Sequence, residues 1–296
     1  MLKIIEKKKI WFSISIVIFI IALTFMLVRG FNIGIDFKGG TKIVLAYEDG
    51  EQTFDKEAVD AIIVKYAPDA TTNTVTTEDG DTQLEIKSGD LDTAKFDEIF
   101  TELKGNYGIK DEIVSQDQVG GSIGQELTKN SMIAVTIAFA AMLIYVAIRF
   151  EFKFGVAAII ALIHDVFITV SVYVIFDIPI NAPFIAATLT IIGYSINDTI
   201  VIFDRVRENL KTMRRKSVDE VLNVSITQTL SRSIITVLTV VATILAVFIF
   251  VPSIRTFSFP LVIGISTGCF SSICIAPPVY SILHKISEKK KITATK

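Results

Sequence analysis

Six stretches of this 296-residue chain reach or approach the roughly 20 apolar residues that a helix needs to cross a bilayer. They run approximately over Ile10–Val28, Ser131–Phe150, Phe154–Phe176, Pro183–Phe203, Ser233–Val251 and Phe257–Leu283. With 51% hydrophobic residues and a mean hydropathy of +0.56, the chain is expected to be a polytopic α-helical membrane protein with six transmembrane helices. The first stretch follows Lys7-Lys8-Lys9, as a secretory signal would. Its apolar run is too long for one, and no small-residue cleavage site follows at Arg29-Gly30-Phe31, so it reads as an uncleaved anchor.

The net charge of −2 hides a segregation that sets the topology. Between Gly30 and Lys129 there are 21 acidic and 9 basic residues, a net of −12, and the rest of the chain carries +10. Basic residues flank the spans at Lys3 and Lys7–Lys9, at Arg149 and Lys153, from Arg205 to Lys216, and at Lys285 and Lys289–Lys291. Six crossings put all four clusters on one side, which the positive-inside rule assigns to the cytoplasm together with both termini. The resulting division is 1–29 for the N-terminus and first span, 30–129 for an extracytoplasmic domain, 130–283 for the remaining spans, and 284–296 for a basic tail.

The acidic region holds enough chain for one small domain. Strands are expected at Thr41–Tyr47, Thr72–Thr77, Thr82–Lys87 and Asp111–Val119, with Asp79-Gly80 turning the central hairpin. Helices are expected at Lys56–Tyr66 and Leu91–Leu103, the second ended by Gly105. The order strand-helix-strand-strand-helix-strand predicts a ferredoxin-like α+β domain between the first two spans. It shows no catalytic pair, nucleophile or histidine, which argues for a binding or moving part rather than an enzyme.

Asp198 lies within the fourth span, where an ionised carboxylate costs roughly 3 kcal/mol at mid-bilayer on insertion scales. A group held against that penalty binds, pairs or carries protons, and Arg232 at the start of the fifth span is the candidate partner. Helical spacing places Thr190, Tyr194, Asn197 and Asp198 on one face, Arg232, Thr236, Thr239 and Thr243 on another, and Asp165, Thr169 and Tyr173 on a third beside His164. A shared wet interior would satisfy all three stripes. The alternatives are a static Asp198–Arg232 salt bridge, an Arg232 that snorkels to the surface, and a His164–Asp165 pair that only packs.

The small residues from Gly264 to Ser272 read as a close-packing surface. The segment 204–224 reads as an amphipathic helix lying on the cytoplasmic membrane surface, not as a nucleic-acid site. His284 reads as an interfacial residue. Cys269 and Cys274 are too few for a disulfide framework or a metal site, so neither metal nor cofactor is expected.

Five further segments look familiar in order and spacing. Gly34-Ile35-Asp36-Phe37-Lys38-Gly39-Gly40-Thr41 resembles the signature that opens the external domain of the SecF family, with Lys38 where Thr is common. Arg149-Phe150-Glu151, Ala161–Val166, Gly193-Tyr194-Ser195-Ile196-Asn197-Asp198-Thr199 with its trailing Asp204-Arg205-Val206-Arg207-Glu208-Asn209, and Thr227–Ser233 are similar to the same family. The resemblance implies a subunit that works with SecD, within the resistance-nodulation-division superfamily. Such subunits assist the SecYEG channel, handle unfolded preproteins at the cell membrane, and draw on a proton gradient, or in some relatives sodium.

On that resemblance Asp198 matches the proton-carrying carboxylate and Arg232 its charge partner, while Asp165 receives no role. Protonation of Asp198 would release Arg232 and swing the external domain about Gly34, Gly39 and Gly40. Those glycines serve either as a flexible tether or as a tight turn. Half of a small-molecule exporter and a passive scaffold of the channel complex are the competing functions.

Overall fold

A computed structural model describes residues 2–47, 56–76, 82–89, 91–251 and 254–294. Six helical segments among them are long and apolar enough to cross a membrane. A single 3-10 turn, Ile5–Lys7, precedes α1 (Lys8–Arg29), and the short α2 (Ile35–Lys38) leads into a small sheet domain. That domain comprises β1 (Gly40–Tyr47), α3 (Lys56–Tyr66), β2 (Thr71–Thr76), β3 (Thr82–Ser88), α4 (Thr93–Tyr107) and β4 (Ile109–Val119). The remaining spans are α5 (Gly121–Arg149), α6 (Phe152–Ile175), α7 (Ala182–Thr212), α8 (Val218–Phe250), and α9 (Arg255–Cys274) continued by α10 (Ala276–Ala294).

The four strands are antiparallel in the order β2-β3-β1-β4, the arrangement of a ferredoxin-like domain. Register follows the alternation of apolar residues: Ile43 opposes Ile86 and Leu45 opposes Leu84 on the buried face. Val59 and Ile63 of α3, with Ile99 and Leu103 of α4, close that face. Asp92 caps α4 by accepting from Lys95 N at 2.8 Å. Gly105 lies inside this helix, and it is Gly108, at φ 58°, that ends it in the left-handed conformation. The Asp79-Gly80 turn lies outside the described residues.

Within the membrane part, α6, α7 and α9 form the interior, and α1, α5 and α8 lie at the periphery. Two glycines explain the tight fit of α9. A Cβ on Gly264 would stand 2.2 Å from Ile191 Cδ1, and one on Gly268 would stand 3.0 Å from Ser195 Cβ. The expected close-packing surface therefore serves contacts within the chain.

Three expectations differ. The segment 204–224 is not one surface helix: α7 runs on to Thr212, a turn intervenes, and α8 starts at Val218 behind a Ser217–Glu220 capping box. Charge pairs sustain the extension beyond the apolar run, with Arg149 bonded to Asp204 at 2.7 Å and Arg205 to Glu208 at 2.8 Å. The last span is two helices meeting at Ile275, where Pro277 and Pro278 lack the amide hydrogens that a continuous helix needs. The spans also exceed their apolar cores, α5 beginning at Gly121 and α8 at Val218.

Candidate functional site

Asp165, in the middle of α6, is wholly buried and fully bonded. Its Oδ1 lies 3.0 Å from His164 Nδ1, and its Oδ2 accepts from Ser271 Oγ at 2.7 Å and also from Ser195 Oγ. His164 Nε2 lies 2.8 Å from Ser15 Oγ of α1, and Thr169 Oγ1 donates to the Asp165 carbonyl at 2.8 Å. Ser272 extends the network by donating to the Ser195 carbonyl at 3.2 Å and meeting Thr199 Oγ1 at 2.7 Å. One carboxylate thus joins α1, α6, α7 and α9. Both oxygens of the Asp165 carboxylate have partners, as a low-dielectric interior requires.

Asp198 stands three residues beyond Ser195 on α7, and it is 7% exposed. Among the described residues it makes no hydrogen bond and no ion pair. Arg232, near the middle of α8, is the charge that acts on it, from beyond ion-pair distance. Arg232 itself is exposed on this chain.

The three polar stripes do not share one interior. Asp165, Thr169 and Tyr173 are buried, whereas Thr190 and Asn197 are exposed and Tyr194 is half-buried. Arg232, Thr239 and Thr243 are likewise exposed, with Thr236 half-buried. Helical geometry accounts for the split, because Ser195 and Asn197 differ by about 200° around α7 and so face opposite ways. Asp198 lies between them, at the boundary of the buried network and the open α7–α8 face. The threonines on that face bond to their own backbones, Thr236 Oγ1 to the Arg232 carbonyl at 2.8 Å and Thr243 Oγ1 to the Thr239 carbonyl at 2.9 Å. Those hydroxyl protons are therefore not offered to Asp198.

Sequence reasoning passed over Ser15, Ser195, Ser271 and Ser272 as members of the network. Serines inside apolar spans were the available signal, but spacing alone does not show which of them meet across helices. His284 faces Glu288 at 3.4 Å one turn on. Among the described residues no His, Cys, Asp and Glu come together as a metal site.

The glycine signature forms a compact joint. Gly34 N donates to the Ile180 carbonyl at 2.8 Å, and Asp36 Oδ2 accepts from Ala182 N at 3.0 Å. Gly39 (φ 78°) and Gly40 (φ 141°) then turn the chain into β1.

Residues 99–286 match the family described as protein export membrane protein SecD/SecF, C-terminal, and residues 24–51 match the SecD/SecF GG motif. The chain is 36% identical over 298 residues to the protein translocase subunit SecF of Sebaldella termitidis, covering 98% of this chain and 94% of that one. To the SecF subunit of Haemophilus influenzae it is 35% identical over 270 residues, 91% of this chain and 82% of the other. The crystal structure of SecDF, a translocon-associated membrane protein from Thermus thermophilus, superposes with a TM-score of 0.82 at 31% identity. That match covers 96% of this chain but 39% of the SecDF chain, so the present chain spans about two fifths of its length. Asp36 and its glycines fall within the shorter matched segment, and Asp165, Asp198 and Arg232 within the longer. Sequence, fold and glycine joint agree over nearly the whole chain, and this multi-pass membrane protein belongs to the SecD/SecF family of protein export membrane proteins.

Proposed function

We propose that this chain is the ion-coupling accessory subunit of the Sec export machinery, pairing with a SecD subunit to drive late preprotein translocation through SecYEG. The observation that carries the reading is Asp198, a residue only 7% exposed within a membrane helix, without hydrogen bond or ion pair among the described residues and under the influence of the Arg232 charge on α8. A carboxylate already satisfied, like Asp165, gains nothing from changing its proton. One without such partners, in the field of a cation, is favoured in its charged form by that cation and frees it on protonation. The other polar groups of the open face, Tyr194, Asn197 and Thr236, line the approach to this pair.

In this reading the basic clusters keep both termini cytoplasmic and place the sheet domain outside the cell membrane, where unfolded preproteins emerge. Each charge crossing a 100 mV potential contributes about 2.3 kcal/mol, enough to shift a two-state element more than tenfold. The sheet domain holds the client, the coupling ion is the proton, and no catalytic residue is assigned.

The test is gradient-dependent export in membrane vesicles, comparing the native sequence with Asp198→Asn at matched expression and assembly. Loss of the gradient-stimulated part of export, with intact assembly, is the expected result. Unchanged export makes Asp198 and Arg232 structural and favours a scaffold. A sodium gradient that replaces the proton gradient would correct the ion.

A further inference from the structure

We propose that α2 is a transmission block between α7 and the sheet domain, and that Asp36 is the positioning residue that couples them. The proposal rests on the reading of α7 as the ion-carrying helix.

The first amide hydrogens of a helix have no partner within it. At the start of α7 the N-cap residue, Asn181, makes no side-chain cap, and Pro183 in the first turn has no amide hydrogen to offer. The cap comes from elsewhere in the chain: Asp36, 146 positions away in sequence, accepts the Ala182 amide at 3.0 Å. A carboxylate there also opposes the positive end of the helix dipole.

The backbone on either side reinforces the link. Ile33 forms a bridge with Ile180, Ile180 N donates to the Asn32 carbonyl at 2.7 Å, and Asn32 Nδ2 donates to the Asp177 carbonyl at 3.1 Å. A Cβ on Gly34 would stand 3.1 Å from both Asn181 Cβ and the Ile180 carbonyl oxygen, so the two segments meet at a distance that only glycine permits without a shift.

The far side of α2 is equally close. A Cβ on Gly124, in the first turn of α5, would stand 2.8 Å from the Phe37 carbonyl oxygen. One on Gly39 would stand 2.9 Å from Gly121 Cα, and one on Gly40 would stand 2.6 Å from the Ser88 carbonyl oxygen at the end of β3. Four glycines therefore remove side chains where backbones touch. This makes α2 a wedge clamped between α7, α5 and the sheet, with no slack for a swinging tether. Of the two readings of these glycines, the packed turn is the one observed.

The mechanical consequence follows from length. Asp198 is 16 residues beyond Ala182, about 24 Å along one continuous helix. Displacement of α7 on ion binding is carried to its first turn and from there, through Asp36, into α2 and β1. The sheet domain is driven by α7 rather than hung from α1.

The experiment uses the assembled complex in proteoliposomes, with spin labels at the exposed Glu98 on the sheet domain and the exposed Ala186 on α7. The native distance distribution is expected to be single and unchanged by an imposed proton gradient, because the two positions move together. Asp36→Ala should broaden that distribution and lower gradient-stimulated export by at least about five-fold, the factor that one helix cap represents. Asp36→Asn keeps an acceptor oxygen and should retain most export.

A native distance that changes with the gradient overturns the proposal, and so does full export in Asp36→Ala. Failure of the transmission role and failure of ion coupling are distinguishable: export lost in Asp198→Asn but normal in Asp36→Ala removes only the transmission role. If Asp36→Ala fails to assemble, the native distance measurement decides alone.

Discussion

Two aspartates within one membrane domain have opposite surroundings, and the roles proposed for them rest on that contrast. Asp165 has partners on both oxygens from α6, α7 and α9, while Asp198 has none among the described residues and faces a single distant cation. Replacing Asp165 by Asn puts an amide nitrogen where an acceptor is required and strands a buried hydroxyl or the His164 ring. The expected cost is about 1–3 kcal/mol, seen as a lowered unfolding temperature of the purified complex. Asp198→Asn should leave that temperature nearly unchanged, and the reverse ranking would contradict the assignment. In the sheet domain, burial pushes the Glu85 carboxyl upward, but Lys87 and Lys42, the latter at 3.1 Å, more than offset it and hold it below the usual carboxylate range. A depressed carboxyl stabilises above its unfolded value near 4.3 and loses that contribution as pH falls through the folded value. Glu85→Gln should therefore make the domain more susceptible to protease at neutral pH, by about 1 kcal/mol of opening free energy, and the difference should vanish in strong acid.

Elements show how packing selects particular glycines. Gly264→Ala forces the buried Ile191 side chain aside and also crowds Thr169 Oγ1, which would stand 3.1 Å away. A cost of about 1–3 kcal/mol and a lower yield of assembled protein are expected. Gly193→Ala, with nothing within 4 Å of the new Cβ, should be tolerated by this chain. Both residues lie in membrane helices rich in small side chains, so only the structure tells them apart. The six spans, the order of the sheet domain and the limits of α3 were legible because each rests on a local period or turn residue. The helix ends beyond the apolar cores were not, since Arg149, Asp204 and Glu208 sustain α7 through pairs that hydropathy scores as breaks. The break at Ile275 was signalled by the two prolines, yet uninterrupted apolarity concealed it.

At the scale of the molecule, the chain has a bonded interior of α6, α7 and α9, an open polar face on α7 and α8, and a sheet domain clamped by α2. Charge patterning marked the crossings, and Asp198 marked the proposed coupling site in sequence. The division of the polar stripes into buried and open sets needed the angular positions of α7 against its neighbours. An exposed Arg232 and Asn197 within membrane helices leave that face suited to the SecD partner of the proposed function. The ion coupling proposed for this molecule depends on Asp198 being the carboxyl that gains and loses a proton. Infrared difference spectra between two pH values, taken on the complex in membranes, observe that event directly. The native complex should show a protonated-carboxyl band that is absent from Asp198→Asn and kept in Asp165→Asn. A band that persists in Asp198→Asn, or disappears only in Asp165→Asn, would place the proton on the other aspartate and contradict this mechanism.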